Sequence, residues 1–279
     1  MYQFFVEPSQ IRQDEKEIVI RGRDAHHMRD VLRLHIGEEV SVRLRGQETG
    51  EADAETTERE YRFGNIAAAG QSQGEGEKEY RCGIKEYRDN EVILTLYFIK
   101  EAGVELPSPV VLFQGLPKGD KMELIIQKAV ELGVSEIVPM RTRRTVVKPD
   151  EKRAQAKTAR WQAIAEAAAK QSKRGILPRV GHIRAFKEAV AYAGSLDVLL
   201  FPYELAEDMA RTRSVIDGIS PGASVGIFIG PEGGFAEEEV MLAREAGAQP
   251  ITLGRRILRT ETAGLVVLSW LVYRLEGLT

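Results

Sequence analysis

Cysteine is nearly missing. Cys82 is the single thiol among 279 residues, which excludes an intrachain disulfide and any multi-cysteine zinc site. Histidine is scarce as well, with four in the chain. Two of these, His26 and His27, are adjacent and point in different directions, and no His/Cys/Asp cluster has ligand spacing, so no metal site is expected. Long apolar runs are absent. The longest, Ala263 to Tyr273, is far short of the roughly twenty residues that span a bilayer, so no membrane partner is expected. The opening Met1-Tyr2-Gln3-Phe4-Phe5-Val6-Glu7 carries neither a basic n-region nor a long apolar core. The expectation is therefore no signal peptide and a cytoplasmic location. Neither G-x-G-x-x-G nor G-K-[ST] occurs, which removes the dinucleotide fingerprint and the phosphate loop.

What is present fits a folded enzyme-sized chain. The length suits one large or two modest domains, and 43% hydrophobic with 29% charged residues is ordinary for a soluble globular protein. The net charge is −3 but unevenly spread. Residues 46–80 hold nine acidic against three basic residues, a local −6, so the rest of the chain is at +3. That acidity would keep the segment away from a phosphate backbone while other faces approach it. The segment is rich in Gly, Glu, Gln, Ser and Thr and reads as a loose insertion.

Before residue 102 the pattern is of short strands (2–6, 17–21, 38–44, 81–85, 91–98) with one short helix capped by Asp24. This suggests a small barrel. Glu101 to Pro109, with Gly103, Pro107 and Pro109, reads as a linker. Beyond it strands and helices alternate. Strands are expected at 110–114, 135–140, 182–183, 196–201, 225–229 and 251–253. Helices are expected at 122–130, 150–172, 186–192, 205–216, 237–246 and 263–275, with Thr260 or Thr262 as cap of the last. That is an α/β domain with a largely parallel sheet.

Two glycine-rich stretches stand out near the C-terminus: Gly230-Pro231-Glu232-Gly233-Gly234-Phe235, and Leu253-Gly254-Arg255-Arg256-Ile257-Leu258-Arg259-Thr260-Glu261-Thr262-Ala263. Each follows an apolar strand and enters a helix. Strand, glycine loop, helix, twice in succession, is how α/β proteins build small-molecule pockets at the carboxyl ends of strands. Two ordinary βα turns would have the same spacing.

Together these stretches resemble the signature of the SPOUT-class 16S rRNA uridine-N3 methyltransferases, the ribosomal RNA small subunit methyltransferase E family. The resemblance extends through Leu116-Pro117-Lys118-Gly119-Asp120-Lys121-Met122-Glu123, Ile126-Gln127-Lys128-Ala129, Glu131-Leu132-Gly133, Arg160-Trp161, Gln171-Ser172, and His26-His27 followed by Val31-Leu32-Arg33. It implies an N-terminal PUA-like RNA-binding β-barrel (1–102) and a trefoil-knotted methyltransferase domain (103–279). It also implies a homodimer acting on 16S rRNA of the small ribosomal subunit. The implied cofactor is S-adenosyl-L-methionine, held by loops carrying Leu200, Phe201, Ile229, Gly230, Glu232, Gly233, Leu253, Gly254, Ile257, Leu258 and Thr262. The family often has an arginine ahead of the Phe-Phe pair, where Gln3 stands here.

Methylating N3 of uridine requires that nitrogen deprotonated, with the charge spread to O2 and O4. A fixed arginine suits that charge, and Arg259 is the candidate; its alternative is a structural pair with Glu261 or Glu232. Glu232 and Glu261 are candidate proton acceptors, or orienting groups for a backbone N–H or the cofactor. The base is expected to be flipped out, since N3 lies on the Watson–Crick edge. Arg141, Arg143, Arg144 and Lys148, with Lys173 and Arg174, form basic runs for RNA contact, or solvated faces. His26, His27, Arg29 and Arg33 are weighed between RNA contact and helix capping. Rival functions are a ribose 2′-O-methyltransferase of the same class and a non-catalytic RNA-binding assembly factor.

Overall fold

The structure, a computed structural model, describes residues 1–12, 16–45, 78–101, 103–147, 149–204, 206 and 208–276. The acidic insertion lies outside the described residues apart from 78–80, and so does Lys148. The described chain forms two compact units. One takes in residues 1–45 and 78–105 with 173–177; the other takes the remainder.

In the first unit, apolar residues alternate along β1 (Gln3–Val6), β3 (Glu17–Arg21), β4 (Glu39–Leu44), β5 (Lys78–Tyr87) and β6 (Glu91–Glu101). With the short β2 (Ile11–Arg12) they make a sheet in the order β1-β4-β5-β6-β3-β2. β1 and β4 are parallel and the other neighbours antiparallel. Phe4, Ile18, Ile20, Val40, Val42, Cys82, Ile84, Val92 and Leu94 fill one core with Met28. β1 and β2 end the path without pairing to each other among the described residues, so the sheet is open rather than a closed ring.

The helix expected from an Asp24 cap starts earlier. α1 spans Gly22–His26 and runs into a π-helical turn at His27–Val31, where Leu32 N–H donates to His27 O over 2.8 Å. A buried ion pair ties down the segment 173–177. Arg174 Nε lies 3.1 Å from Glu105 Oε2, and the Arg174 carbonyl accepts a 2.7 Å bond from Gln3 Nε2.

The second unit is built on a parallel sheet whose central strands are mostly apolar, as burial on both faces demands. The strands are β7 (Val110–Gly115), β8 (Glu136–Arg141), β9 (Arg179–Val180), β10 (Arg184–Ala185), β11 (Val198–Pro202), β12 (Val225–Ile229) and β13 (Gln249–Ile251). The order is β10-β8-β7-β12-β11-β13, with β9 also on β8. The helices are α2 (Lys121–Glu131), α3 (Glu151–Gln171), α4 (Phe186–Ala193), α5 (Met209–Asp217), α6 (Glu237–Glu245) and α7 (Thr260–Glu276). Asp150 and Asp208 cap α3 and α5 by accepting from Arg153 N and Arg211 N. Phe113 stacks on Phe228 at 4.6 Å, and Phe201 meets Phe235 at 4.6 Å, in the core between sheet and helices.

Several boundaries differ from the expected ones. His182-Ile183 is loop, because β9 and β10 pair with separate stretches of β8 on either side of it. β13 sits two residues early, as an edge strand that tolerates Pro250. α5 begins only after its Asp208 cap. α7 starts at Thr260, three residues before the apolar run. It buries Val267, Leu268, Leu271 and Leu275, each worth about 1.5–3 kcal/mol relative to exposure.

Candidate functional site

Parallel pairing of β11 with both β12 and β13 puts the carboxyl ends of these strands side by side. Three loops therefore leave the sheet together, at 202–204, 230–235 and 252–259. They surround one cleft of about 470 Å³, within the range of small-molecule pockets.

Two contacts lock this arrangement. Gly115 ends β7 directly beneath the second loop, where a Cβ would fall 2.6 Å from Pro231 N, so only glycine lets the loop cross there. Thr260, at the head of α7, donates its hydroxyl to Gly230 O over 2.6 Å and accepts from Gln114 Nε2 at 3.0 Å. Its hydroxyl therefore reaches to another loop, whereas the expectation had Thr260 or Thr262 capping the helix. Arg259 O takes the cap position, accepting from Thr262 N and Ala263 N.

Of the residues expected to hold a ligand, Ile229, Gly230, Glu232, Gly233, Leu253, Gly254, Ile257 and Leu258 line the cleft. Leu200 and Phe201 do not, being packed inside β11 with under 2% of their surface exposed. Thr262, exposed on the first turn of α7, does not line it either. Lys121, Thr260 and Ala263 also line the cleft, although the sequence reading assigned none of them to the ligand. Gly230 is filled from its own loop: a Cβ would meet Gly234 Cα at 3.1 Å and Phe235 Cε2 at 3.2 Å. Its small size therefore serves loop closure.

The charged groups sort themselves clearly. Lys121 Nζ lies 3.0 Å from Glu232 Oε1 and 3.3 Å from Glu261 Oε2. Glu232 also accepts from Lys118 N–H at 3.1 Å. Burial pushes the Glu232 carboxyl up, but the Lys121 bond and the backbone donors outweigh it and hold it below the usual carboxylate range. Lys121 is raised in turn, mainly by its bond to Glu232. Both glutamates are thus committed to one ammonium. Arg259 has no ion pair or side-chain hydrogen bond among the described residues, and its guanidinium is exposed beside the cleft.

The basic residues divide between anchoring and free groups. Arg141 is exposed at the end of β8. Arg143 bonds Glu238 of α6 at 2.6 Å, and Arg144 donates to Gly233 O at 2.9 Å, so Arg144 braces the second loop while Arg143 is tied to the helix that follows it. In the first unit, Arg33 and Lys173 are exposed, each at a positive φ. His26 pairs with Asp30 at 2.5 Å, and His27 accepts the π-turn bond. Arg29 is a structural clamp: it donates to the carbonyls of Arg88 and Asp89, and its guanidinium sits over the Tyr87 ring at 5.4 Å. Arg174 is corrected outright. With 4% exposure and its ion pair to Glu105, its side chain is not available to RNA. Among the described residues no group of His, Cys, Asp and Glu is placed to hold a metal, and no helix is long and apolar enough to cross a membrane.

Residues 104–272 match the family model of the RNA methyltransferase domain, which gives the class of the second unit. Over almost its full length the chain is similar to ribosomal RNA small subunit methyltransferase E of Bacillus subtilis (strain 168), with 32% identity across 99% of this chain and 98% of that protein. The chain belongs to the ribosomal RNA small subunit methyltransferase E family. Its fold also matches a crystal structure of a hypothetical protein at 31% identity and TM-score 0.82, covering 99% of this chain and all of that one. A ribosomal RNA small subunit methyltransferase E from Neisseria gonorrhoeae, bound to S-adenosyl methionine, matches at 27% identity and TM-score 0.75, covering 96% of each chain.

Proposed function

We propose that this chain is a 16S rRNA (uracil-N3)-methyltransferase that uses S-adenosyl-L-methionine and works as a homodimer on the small ribosomal subunit. The observation that carries the reading is a ligand-sized cleft closed by three loops, with an unpaired arginine at its rim, in a chain of this family. The cleft suits the cofactor on its own terms. Its walls are loop backbone with Ile229, Leu253, Leu258 and Ala263, apt for a planar base. The Glu232–Lys121–Glu261 cluster beside it has a net negative charge, apt for a sulfonium. Loop backbone at 230–233 and 253–258 would hold the group. When bound, it supplies the electrophilic methyl.

The chain's own residues prepare the acceptor. Arg259 faces the uracil and offers several fixed donors to O2 or O4, where the charge of an N3-deprotonated base accumulates. The N3 proton leaves to solvent at the open rim, since both nearby carboxylates are engaged by Lys121. Arg141 and Arg33 steer the RNA backbone, and Arg144 holds the second loop in place.

The first unit is the PUA-like RNA-binding domain in this reading, and the second carries the SPOUT trefoil knot. The knot is supported by α7, where a Cβ added at Gly264 would meet Ile229 and Leu112 at 3.4 Å, directly behind the loop that Thr260 grips. The dimer is supported by the other face of α7, where Trp270 is half-buried and Tyr273 is 87% exposed. An apolar strip of that kind is commonly covered by a second copy.

The test is transfer of labelled methyl from S-adenosylmethionine to small subunits by the purified chain, followed by nucleoside analysis. N3-methyluridine is expected. A ribose-methylated nucleoside would establish the 2′-O rival, and cofactor binding without transfer would establish the assembly factor.

A further inference from the structure

Lys121 opens α2, whose buried face of Met122, Ile125, Ile126, Ala129 and Val130 fixes the helix in the core. The start of its side chain is therefore set by packing. Its ammonium then joins two parts of the cleft that are far apart in sequence, the loop after β12 through Glu232 and the first turn of α7 through Glu261. The three side chains are between 17% and 30% exposed, so solvent screens them less than a pair in open water.

The other charges nearby are accounted for. On its own helix Glu123 pairs with Arg160 of α3 at 2.8 Å. Asp120 precedes the helix. Glu204 of the cleft makes no ion pair with Lys121 among the described residues, and the cleft's cations Arg255, Arg256 and Arg259 are exposed. Removing the ammonium would leave two carboxylates around one vacated position, where each disfavours the charge of the other.

We propose that Lys121 is a positioning residue for cofactor binding, its charge clipping the loop after β12 to the head of α7. The inference rests on the cofactor reading above and assigns Lys121 no contact with the reacting atoms. A packing role alone would make loss of the side chain equally harmful at every pH. A charge clip gives a different signature. Once neutral at this position, the protein should recover binding in mild acid, where one carboxylate takes a proton and the two can share it.

The experiment is calorimetric titration of the full chain with S-adenosylmethionine at about pH 8 and about pH 5.5, above and near the carboxylate range. Lys121→Met is expected to bind about tenfold more weakly than the parent at the higher pH and to recover to within about threefold at the lower. The parent and Lys121→Arg should be flat across the two. The double variant Lys121→Met/Glu232→Gln, with one carboxylate gone, should regain most of the affinity at both. Parental affinity of Lys121→Met at the higher pH, or equal weakness at both, would overturn the proposal. A parent chain that fails to bind the cofactor would refute the functional reading instead. The clip is then read by amide hydrogen exchange at residues 230–235, which must be faster in Lys121→Met; unchanged exchange would overturn it.

Discussion

Thr260→Val isolates the contact that ties the head of α7 to the second loop. The two side chains have nearly the same shape, so the change removes a hydroxyl and leaves the packing. Gly230 O loses its 2.6 Å donor, and Gln114 Nε2 loses its 3.0 Å acceptor. Gln114 is fully buried, and its amide keeps only the 2.9 Å bond to Gly115 O. Stripping partners from buried polar groups costs about 1–3 kcal/mol. For a unit of this size that is a fall in Tm of about 4–8 °C near the middle of the range. Thr260→Ser keeps the hydroxyl and loses one methyl, a cost of about 0.8 kcal/mol. Thermal and urea unfolding, followed by circular dichroism, should therefore rank parent, Ser, then Val. S-adenosylmethionine affinity should fall with Val, because the loop it anchors forms a wall of the cleft. A Val variant within about 0.5 kcal/mol of the parent, or a Ser variant less stable than Val, would refute the reasoning.

Gly115→Ala places a methyl group against Pro231 backbone and should cost about 1–3 kcal/mol by overpacking, read as a lower urea midpoint with weaker cofactor binding. Arg259→Ala should leave stability within about 0.5 kcal/mol of the parent, since the guanidinium has no ion pair or hydrogen bond among the described residues. Its single-turnover methylation rate should fall by about 10²–10³-fold, the range for one charge-stabilising donor. Burial pushes the Cys82 thiol up to about 12, so thiol reagents should modify it only in unfolded chains. Above about pH 9 the unfolded thiol ionises while the native one stays protonated. Stability should therefore decline with alkaline pH, and Cys82→Ala should lessen that decline.

The second unit was readable because its signals are local. Apolar strands such as Val110 to Gln114 and the helical spacing of Met122, Ile125, Ile126 and Ala129 report burial directly. The two glycine loops marked where the cleft would be. The polar contacts that hold the cleft were not readable. Lys121 and Glu232 are 111 residues apart, and Gln114 and Thr260 are 146 apart; no periodicity encodes such pairings. The same limit affected the basic residues. Arg174 looked like one more cation at the end of a helix, and only the fold shows Glu105 enclosing it. Arg29, weighed between RNA contact and helix capping, does neither: the β5–β6 turn supplies its acceptors. A polar Gln114 closing an otherwise apolar strand was the one local hint that something buried there needed a hydrogen bond.

The most direct measurement of the central claim is mass spectrometry of nucleosides from small-subunit rRNA of cells with and without the gene, with complementation by the parent chain and by Arg259→Ala. N3-methyluridine should vanish on deletion, return with the parent and stay absent with Arg259→Ala. An unchanged N3-methyluridine level on deletion, or loss of a ribose-methylated nucleoside in its place, would contradict the account.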